Sequence, residues 1–282
     1  MHTRYDIDLT HREQAGLPGS IVLSAQAAMV LKISSDGDPQ EVYAKNSQDS
    51  LHPASLTKLL SIITALDVAS RFGQSLDTKL RMRGRDDAKG TGRNIVAGDR
   101  FSLQDAIANM LLPSSNVTAN VVARTFGQVL VEREDSDTDP VPRFVQEMNA
   151  TAAGLGMTHS TFVNPHGLKA AAQITTAADM AKLLVAASKR SAVTNVWNRA
   201  TYDMTITGPN ARVEPIASSV KMIEDANVLG GKTGTLRSIT YNLAISARTS
   251  SGAALASVIL CSASDSARYA DMRLLLSALD QL

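Results

Sequence analysis

Residues 228–261 read VLGGKTGTLRSITYNLAISARTSSGAALASVILC and contain three strand-like runs, VLGGKTGTL (228–236), ITYNLAISART (239–249) and AALASVILC (253–261). A helical pattern, SARYADMRLLLSALD (266–280), follows them directly. Working outward, AQAAMVLKI (25–33) and EVYAKN (41–46) flank a turn carried by Gly37 and Pro39, which predicts a hairpin. Between these ends lie helical patterns at 52–72, 102–112, 116–127, 142–156 and 175–191, and one further strand-like run, YDMTITG (202–208). The first has a proline just ahead of it and apolar residues at Leu56, Leu59, Leu60, Ile63 and Leu66. Residues 79–101 read as an exposed loop or short ribbon. Sequential strands usually pair and a helix must cover a sheet, so this order predicts an α+β fold with one antiparallel sheet flanked by helices. The expected division is a polar extension at 1–24 and a single folded unit at 25–282. Within that unit a sheet lobe (about 25–75 and 202–282) encloses a mostly helical lobe (about 76–201), with a cleft between them.

Composition narrows the function classes. The 282 residues are 44% hydrophobic, enough for a sizeable core without disulfide or metal staples. A net charge of +1 removes the general electrostatic argument for nucleic acid or an anionic membrane, and either partner would need a local patch. The single cysteine, Cys261, sits in an apolar run and reads as buried and inert. Five histidines form no HExxH pair. The acidic segment EREDSDTDPVP (132–142) imitates a calcium loop, but Pro140 stands where the sharp-turn glycine belongs and Gln146 where the bidentate Glu belongs. No metal or cofactor is expected. No window of about 18 apolar residues occurs, and residues 1–20 lack the apolar stretch of a secretory leader.

Three short motifs carry the chemistry. Ser55-Leu56-Thr57-Lys58 is an SxxK element at a helix start, where positions i and i+3 share a face and the hydroxyl and ammonium can meet. A lysine whose pKa is lowered can take the proton of such a serine, and the helix N-terminus offers N–H groups to an oxyanion. Ser114-Ser115-Asn116 breaks two helical patterns and would suffice as an N-cap alone. Lys232-Thr233-Gly234 lies in a strand-like run. A P-loop reading fails because Ala226 replaces the required glycine and no helix follows, which leaves an exposed lysine on a hairpin edge as the bland alternative.

Together, in the order SxxK, SxN, KTG, the motifs resemble those of the penicillin-recognising active-site serine acyltransferases, most closely the D-alanyl-D-alanine carboxypeptidases of low molecular mass. EVYAKNSQDSLHPASLTKLLSIITALD, MTHSTFVNPHGL and GGKTGTLRSITYNLAISA are similar to segments of that family, and the likeness runs from about Ala25 to the C-terminus. The resemblance implies a β-lactamase/transpeptidase-like fold with a five-stranded antiparallel sheet. It also implies Ser55 as nucleophile, Lys58 as its base and Ser114 as proton relay, with Asn116, Lys232, Thr233, Gly234 and Thr235 holding the substrate. The N–H groups of Ser55 and Thr235 would form the oxyanion hole. The implied partners are peptidoglycan stem peptides and β-lactams, outside the cytoplasm.

Class A β-lactamases add a glutamate for deacylation, and no Glu occurs between Glu147 and Glu214. His166 and His52 read as loop-anchoring and structural. The family resemblance calls for a cation beyond the last strand to bind a terminal carboxylate. Arg268 is the nearest, and if none reaches the cleft an endopeptidase acting on cross-links is expected instead. With no C-terminal amphipathic segment after the catalytic unit, no membrane anchor is expected.

Overall fold

A computed structural model of the protein describes residues 21–34 and 36–280. The expected hairpin is present as β1 (Ala27–Ile33) and β2 (Pro39–Lys45), paired antiparallel. A short 3-10 turn (Ala54–Leu56) then runs into α1 (Thr57–Arg71). The next segment holds a small ribbon, β3 (Lys79–Arg81) with β4 (Arg100–Ser102), followed by α2 (Leu103–Leu111), α3 (Asn116–Glu134) and α4 (Pro140–Gly154). After a long loop come α5 (Ala177–Ser188), α6 (Ser191–Trp197), β5 (Thr201–Ile206) and β6 (Arg212–Ala217). The chain closes with β7 (Val228–Leu236), β8 (Thr240–Arg248), β9 (Ala254–Leu260) and α7 (Asp265–Leu279).

The main sheet has five antiparallel strands in the order β2-β1-β9-β8-β7, so the first and last strands among the described residues meet in it through the β1–β9 ladder. Its central strands read as near-continuous apolar runs because both faces are covered. Ala27, Met29 and Leu31 of β1 join the larger core with α1, α2, α3 and α5, while Ala28 and Val30 join a second core under α7. That alternation is the period-two signature of a strand. Helix α1 is buried from Thr57 to Ala65 without a break, as a helix enclosed between a sheet and a helical layer must be.

Two features depart from the sequence reading. YDMTITG forms β5, but it pairs with β6 in a separate ribbon and does not enter the five-stranded sheet. The β6 run RVEPIA escapes recognition because Pro215 interrupts it, and proline is tolerated only where a ladder bond is dispensable. The polar extension expected at 1–24 lies mostly outside the described residues. Within it, Leu23 is buried and Ser24 binds Asp271 through its N–H (2.9 Å) and its hydroxyl (2.7 Å), so the packed chain reaches back into that stretch.

Candidate active site

The 3-10 turn that precedes α1 presents Ser55. Ala54 holds a left-handed φ of 48°, and Thr57 Oγ1 donates to the Ala54 carbonyl at 2.8 Å. Lys58 follows on the first turn of α1 and is fully buried. Its Nζ lies 2.9 Å from Ser55 Oγ, 2.7 Å from Asn116 Oδ1 and 2.8 Å from the His166 carbonyl. Burial, and then the positive charge of Lys232, push the Lys58 pKa well below its ordinary value.

The donor inventory of this cluster has a consequence. A neutral amine has two N–H groups and one lone pair, and the Asn116 and His166 oxygens can only accept. Neutral Lys58 therefore donates to those two and turns its lone pair to the Ser55 hydroxyl, the one partner that can give up a proton.

A second serine–lysine pair faces the first. Ser114, in the loop between α2 and α3, has φ of 64°, an uncommon value for a residue with a side chain and one that clusters at functional sites. The capping duty anticipated for this loop falls on Ser115, whose hydroxyl accepts from Thr118 N at 3.2 Å. The Ser114 hydroxyl is left for Lys232 Nζ, 2.8 Å away, and that ammonium also donates to the Thr233 carbonyl at 3.0 Å. Lys232 is fully buried, and burial followed by the charge of Arg268 brings its pKa down to about 7.

Strand β7, an edge of the sheet, forms the opposite wall. Thr233 Oγ1 sits 2.8 Å from Ser219 Oγ, and Thr235 is exposed. At Gly234 a β-carbon would stand 2.9 Å from the Pro53 carbonyl, so this glycine lets β7 close onto the turn that carries Ser55. Arg268, on α7 and only 4% exposed, donates to Thr235 Oγ1 at 2.7 Å and also pairs with Asp265.

The sequence reading missed several supports. Asn116 Nδ2 donates to the Lys89 carbonyl at 2.7 Å, Thr91 Oγ1 to the Ser114 carbonyl at 2.7 Å, and Asn116 N to the Thr91 carbonyl at 3.2 Å. The segment 89–92 thus braces the Ser-Ser-Asn loop, and its Gly-Thr-Gly string was the available signal. Asn242, buried in β8, donates to the carbonyls of His52 (2.9 Å) and Pro53 (3.1 Å) just ahead of Ser55, and a lone Asn inside YNLAISA was its signal. His166 contributes its carbonyl to Lys58, while its ring Nδ1 accepts locally from Leu168 N at 3.2 Å. Burial and then the Lys58 charge lower that ring's pKa to about 4, so it is neutral near pH 7. No cluster of three or more His, Cys, Asp or Glu able to hold a metal occurs among the described residues.

Comparison with known proteins places this fold. The chain is 27% identical over 82% of its length to the D-alanyl-D-alanine carboxypeptidase DacC of Escherichia coli, covering 56% of that protein. It is 26% identical over 66% of its length to a D-alanyl-D-alanine endopeptidase of Pseudomonas aeruginosa, covering 54% of it. The chain thus spans about half the length of the curated relatives it matches. Among solved structures, the Streptomyces K15 DD-transpeptidase superposes with a TM-score of 0.82 at 19% identity, over 93% of this chain and 98% of that one. Penicillin-binding protein D2 of Listeria monocytogenes, in its ampicillin-bound form, superposes with a TM-score of 0.73 at 24% identity, over 92% and 99%. Those likenesses establish the fold. Residues 18–264 match the peptidase S11 family, and the chain accordingly belongs to the D-alanyl-D-alanine carboxypeptidase family.

Proposed function

We propose that the protein is a serine DD-peptidase that cleaves the D-Ala-D-Ala bond of peptidoglycan stem peptides outside the cytoplasm and is acylated by penicillins. The observation that carries this reading is the buried Lys58, whose Nζ lies 2.9 Å from Ser55 Oγ and whose two other partners are obligate acceptors, so that in its neutral form its lone pair faces the Ser55 hydroxyl. Ser55 Oγ attacks the carbonyl carbon of the penultimate residue while its proton passes to Lys58. The oxyanion rests on the N–H groups of Ser55 and Thr235. The proton then reaches the leaving nitrogen through Ser114, the C–N bond breaks, D-alanine departs and an ester remains on Ser55. Water hydrolyses that ester. The absence of a glutamate between Glu147 and Glu214 argues for slow deacylation of penicillin.

Asn116 chiefly orients Lys58, since Oδ1 and one Nδ2–H are engaged internally, and the second Nδ2–H is the group left for a substrate amide. Thr233, Gly234 and Thr235 form the edge along which the peptide lies as an added strand. A single catalytic unit with its cleft between the sheet and the helical layer suits this mode of binding.

Carboxypeptidase activity is favoured over endopeptidase activity by the hydrogen bond from Arg268 to Thr235, which supplies a cation beside the binding strand for a terminal carboxylate. No helix among the described residues is long and apolar enough to cross a membrane.

Incubation with a fluorescent penicillin tests the reading. The wild type takes a covalent label and Ser55→Ala takes none, whereas an unlabelled wild type or an equally labelled variant overturns it. D-alanine release from a pentapeptide faster than cleavage of a cross-linked dimer is the outcome expected of a carboxypeptidase, and the reverse ranking favours the endopeptidase.

A further inference from the structure

The chain as a whole is nearly neutral, but residues 79–100 hold seven cations and three acids. The three acids are all paired: Asp86 with Arg124 at 2.7 Å, Asp87 with Arg93 at 2.9 Å and Asp99 with Arg212 at 3.1 Å. Lys79, Arg81, Arg83, Arg85, Lys89 and Arg100 are exposed, and none has an ion-pair partner among the described residues.

These six are ordered by the backbone. Leu80 and Met82 point into the core, so Lys79, Arg81 and Arg83 alternate onto the outer face of one extended segment. Arg100 stands directly across the ribbon from Arg81, on the same face. Like charges placed opposite one another weaken a strand pair, so the ribbon alone does not account for them. Beyond it the chain carries the exposed Arg85 through a 3-10 turn to the exposed Lys89, whose backbone carbonyl holds Asn116. The basic segment therefore runs up to the cluster around Ser55.

We propose that this row is a docking surface for a linear polycarboxylate, the strand of acidic stem peptides whose terminal D-Ala-D-Ala enters the cleft. The proposal rests on the reading of the site as a DD-peptidase. Charge complementarity selects an anionic occupant, and the run of the basic segment up to Asn116 selects one that is continuous with the substrate. A nucleic acid is less well matched, because Phe101, the aromatic residue of the ribbon, is buried and offers no stacking surface. An anionic bilayer is less well matched because Val96 is the one large apolar side chain exposed in this segment.

The test compares wild type with Arg81→Gln/Arg83→Gln/Arg85→Gln and with the corresponding triple glutamate variant, three exposed positions outside the catalytic cluster. Co-sedimentation with purified peptidoglycan at low salt is expected to weaken about tenfold in the glutamine variant and further in the glutamate variant. The difference shrinks above about 0.5 M salt, where screening lengths fall to a few ångströms. Peptidoglycan with amidated carboxylates should bind wild type as weakly as native polymer binds the variants. Turnover of a short soluble D-Ala-D-Ala peptide should be unchanged. Equal binding by all three proteins, indifference to amidation, or tighter binding to duplex DNA or to anionic phosphatidylglycerol vesicles than to the polymer overturns the proposal. Penicillin labelling of the same samples separates the two readings: loss of label from wild type defeats the peptidase assignment, while intact label with unaltered polymer binding defeats only the docking row.

Discussion

Two buried lysines face two serines, and each lysine perturbs a neighbour. The charge of Lys232 lowers the Lys58 pKa, so its removal in Lys232→Met must raise it. On the proposed mechanism, acylation by penicillin requires neutral Lys58 and therefore fails as pH falls through the Lys58 pKa. The acid limb of the acylation rate is expected to move to higher pH in Lys232→Met, whatever the change in amplitude, and a limb that stays in place contradicts the coupling. Asn116→Ala removes an acceptor from Lys58 and leaves its aim at Ser55 unconstrained. A loss of about 100-fold in acylation rate is expected, the scale of an ångström of misplacement at a reacting centre, read by stopped-flow labelling.

At the level of elements, the Ser55 turn is clamped from two sides by backbone that comes too close for side chains. A β-carbon at Gly167, which has φ of 84°, would fall 1.8 Å from the Ala54 carbonyl, and one at Gly234 would fall 2.9 Å from the Pro53 carbonyl. Gly167→Ala is expected to cost about 3 kcal/mol, from backbone strain added to steric overlap. Gly234→Ala is expected to cost about 1–3 kcal/mol by overpacking. Urea unfolding measures both, and acylation should fall more than stability in Gly234→Ala, because the displaced elements carry Ser55 and Lys232. A merely structural glycine would lower stability alone. The SxxK element was legible because α1 is local: its spacing places two side chains on one face. The part played by Lys89 was not, because it acts through a backbone carbonyl that any residue type would supply.

For the whole molecule, burying two cations couples stability to pH. Lys232 has a folded pKa of about 7 against about 10.5 for an exposed lysine, so between these values the unfolded chain binds more protons. Stability contributed through this group rises with pH across that window, by up to about 1.4 kcal/mol per unit, and is lost as pH falls back towards 7. The unfolding free energy of wild type relative to Lys232→Met is expected to increase between pH 7 and 9.5, and a flat difference would refute the linkage. The buried Arg124–Asp86 pair joins α3 to the chain just after β3 and also reaches the Arg81 carbonyl at 2.6 Å. Arg124→Met strands Asp86 and should cost about 3–5 kcal/mol in the same assay.

The sequence by itself determined most of the elements, β6 and the short helix α6 excepted, because strand alternation, helical periodicity and turn residues act over a few positions at a time. It also determined the Ser55–Lys58 pairing, which one helical turn enforces. Only the tertiary structure decided that Lys232 meets Ser114 across 118 residues, and that Arg268 on α7 reaches Thr235 on β7. It likewise decided that β5 leaves the main sheet for a ribbon with β6. Such contacts depend on which apolar faces bury together and which polar atoms are left to satisfy once they do, and no local pattern encodes that outcome.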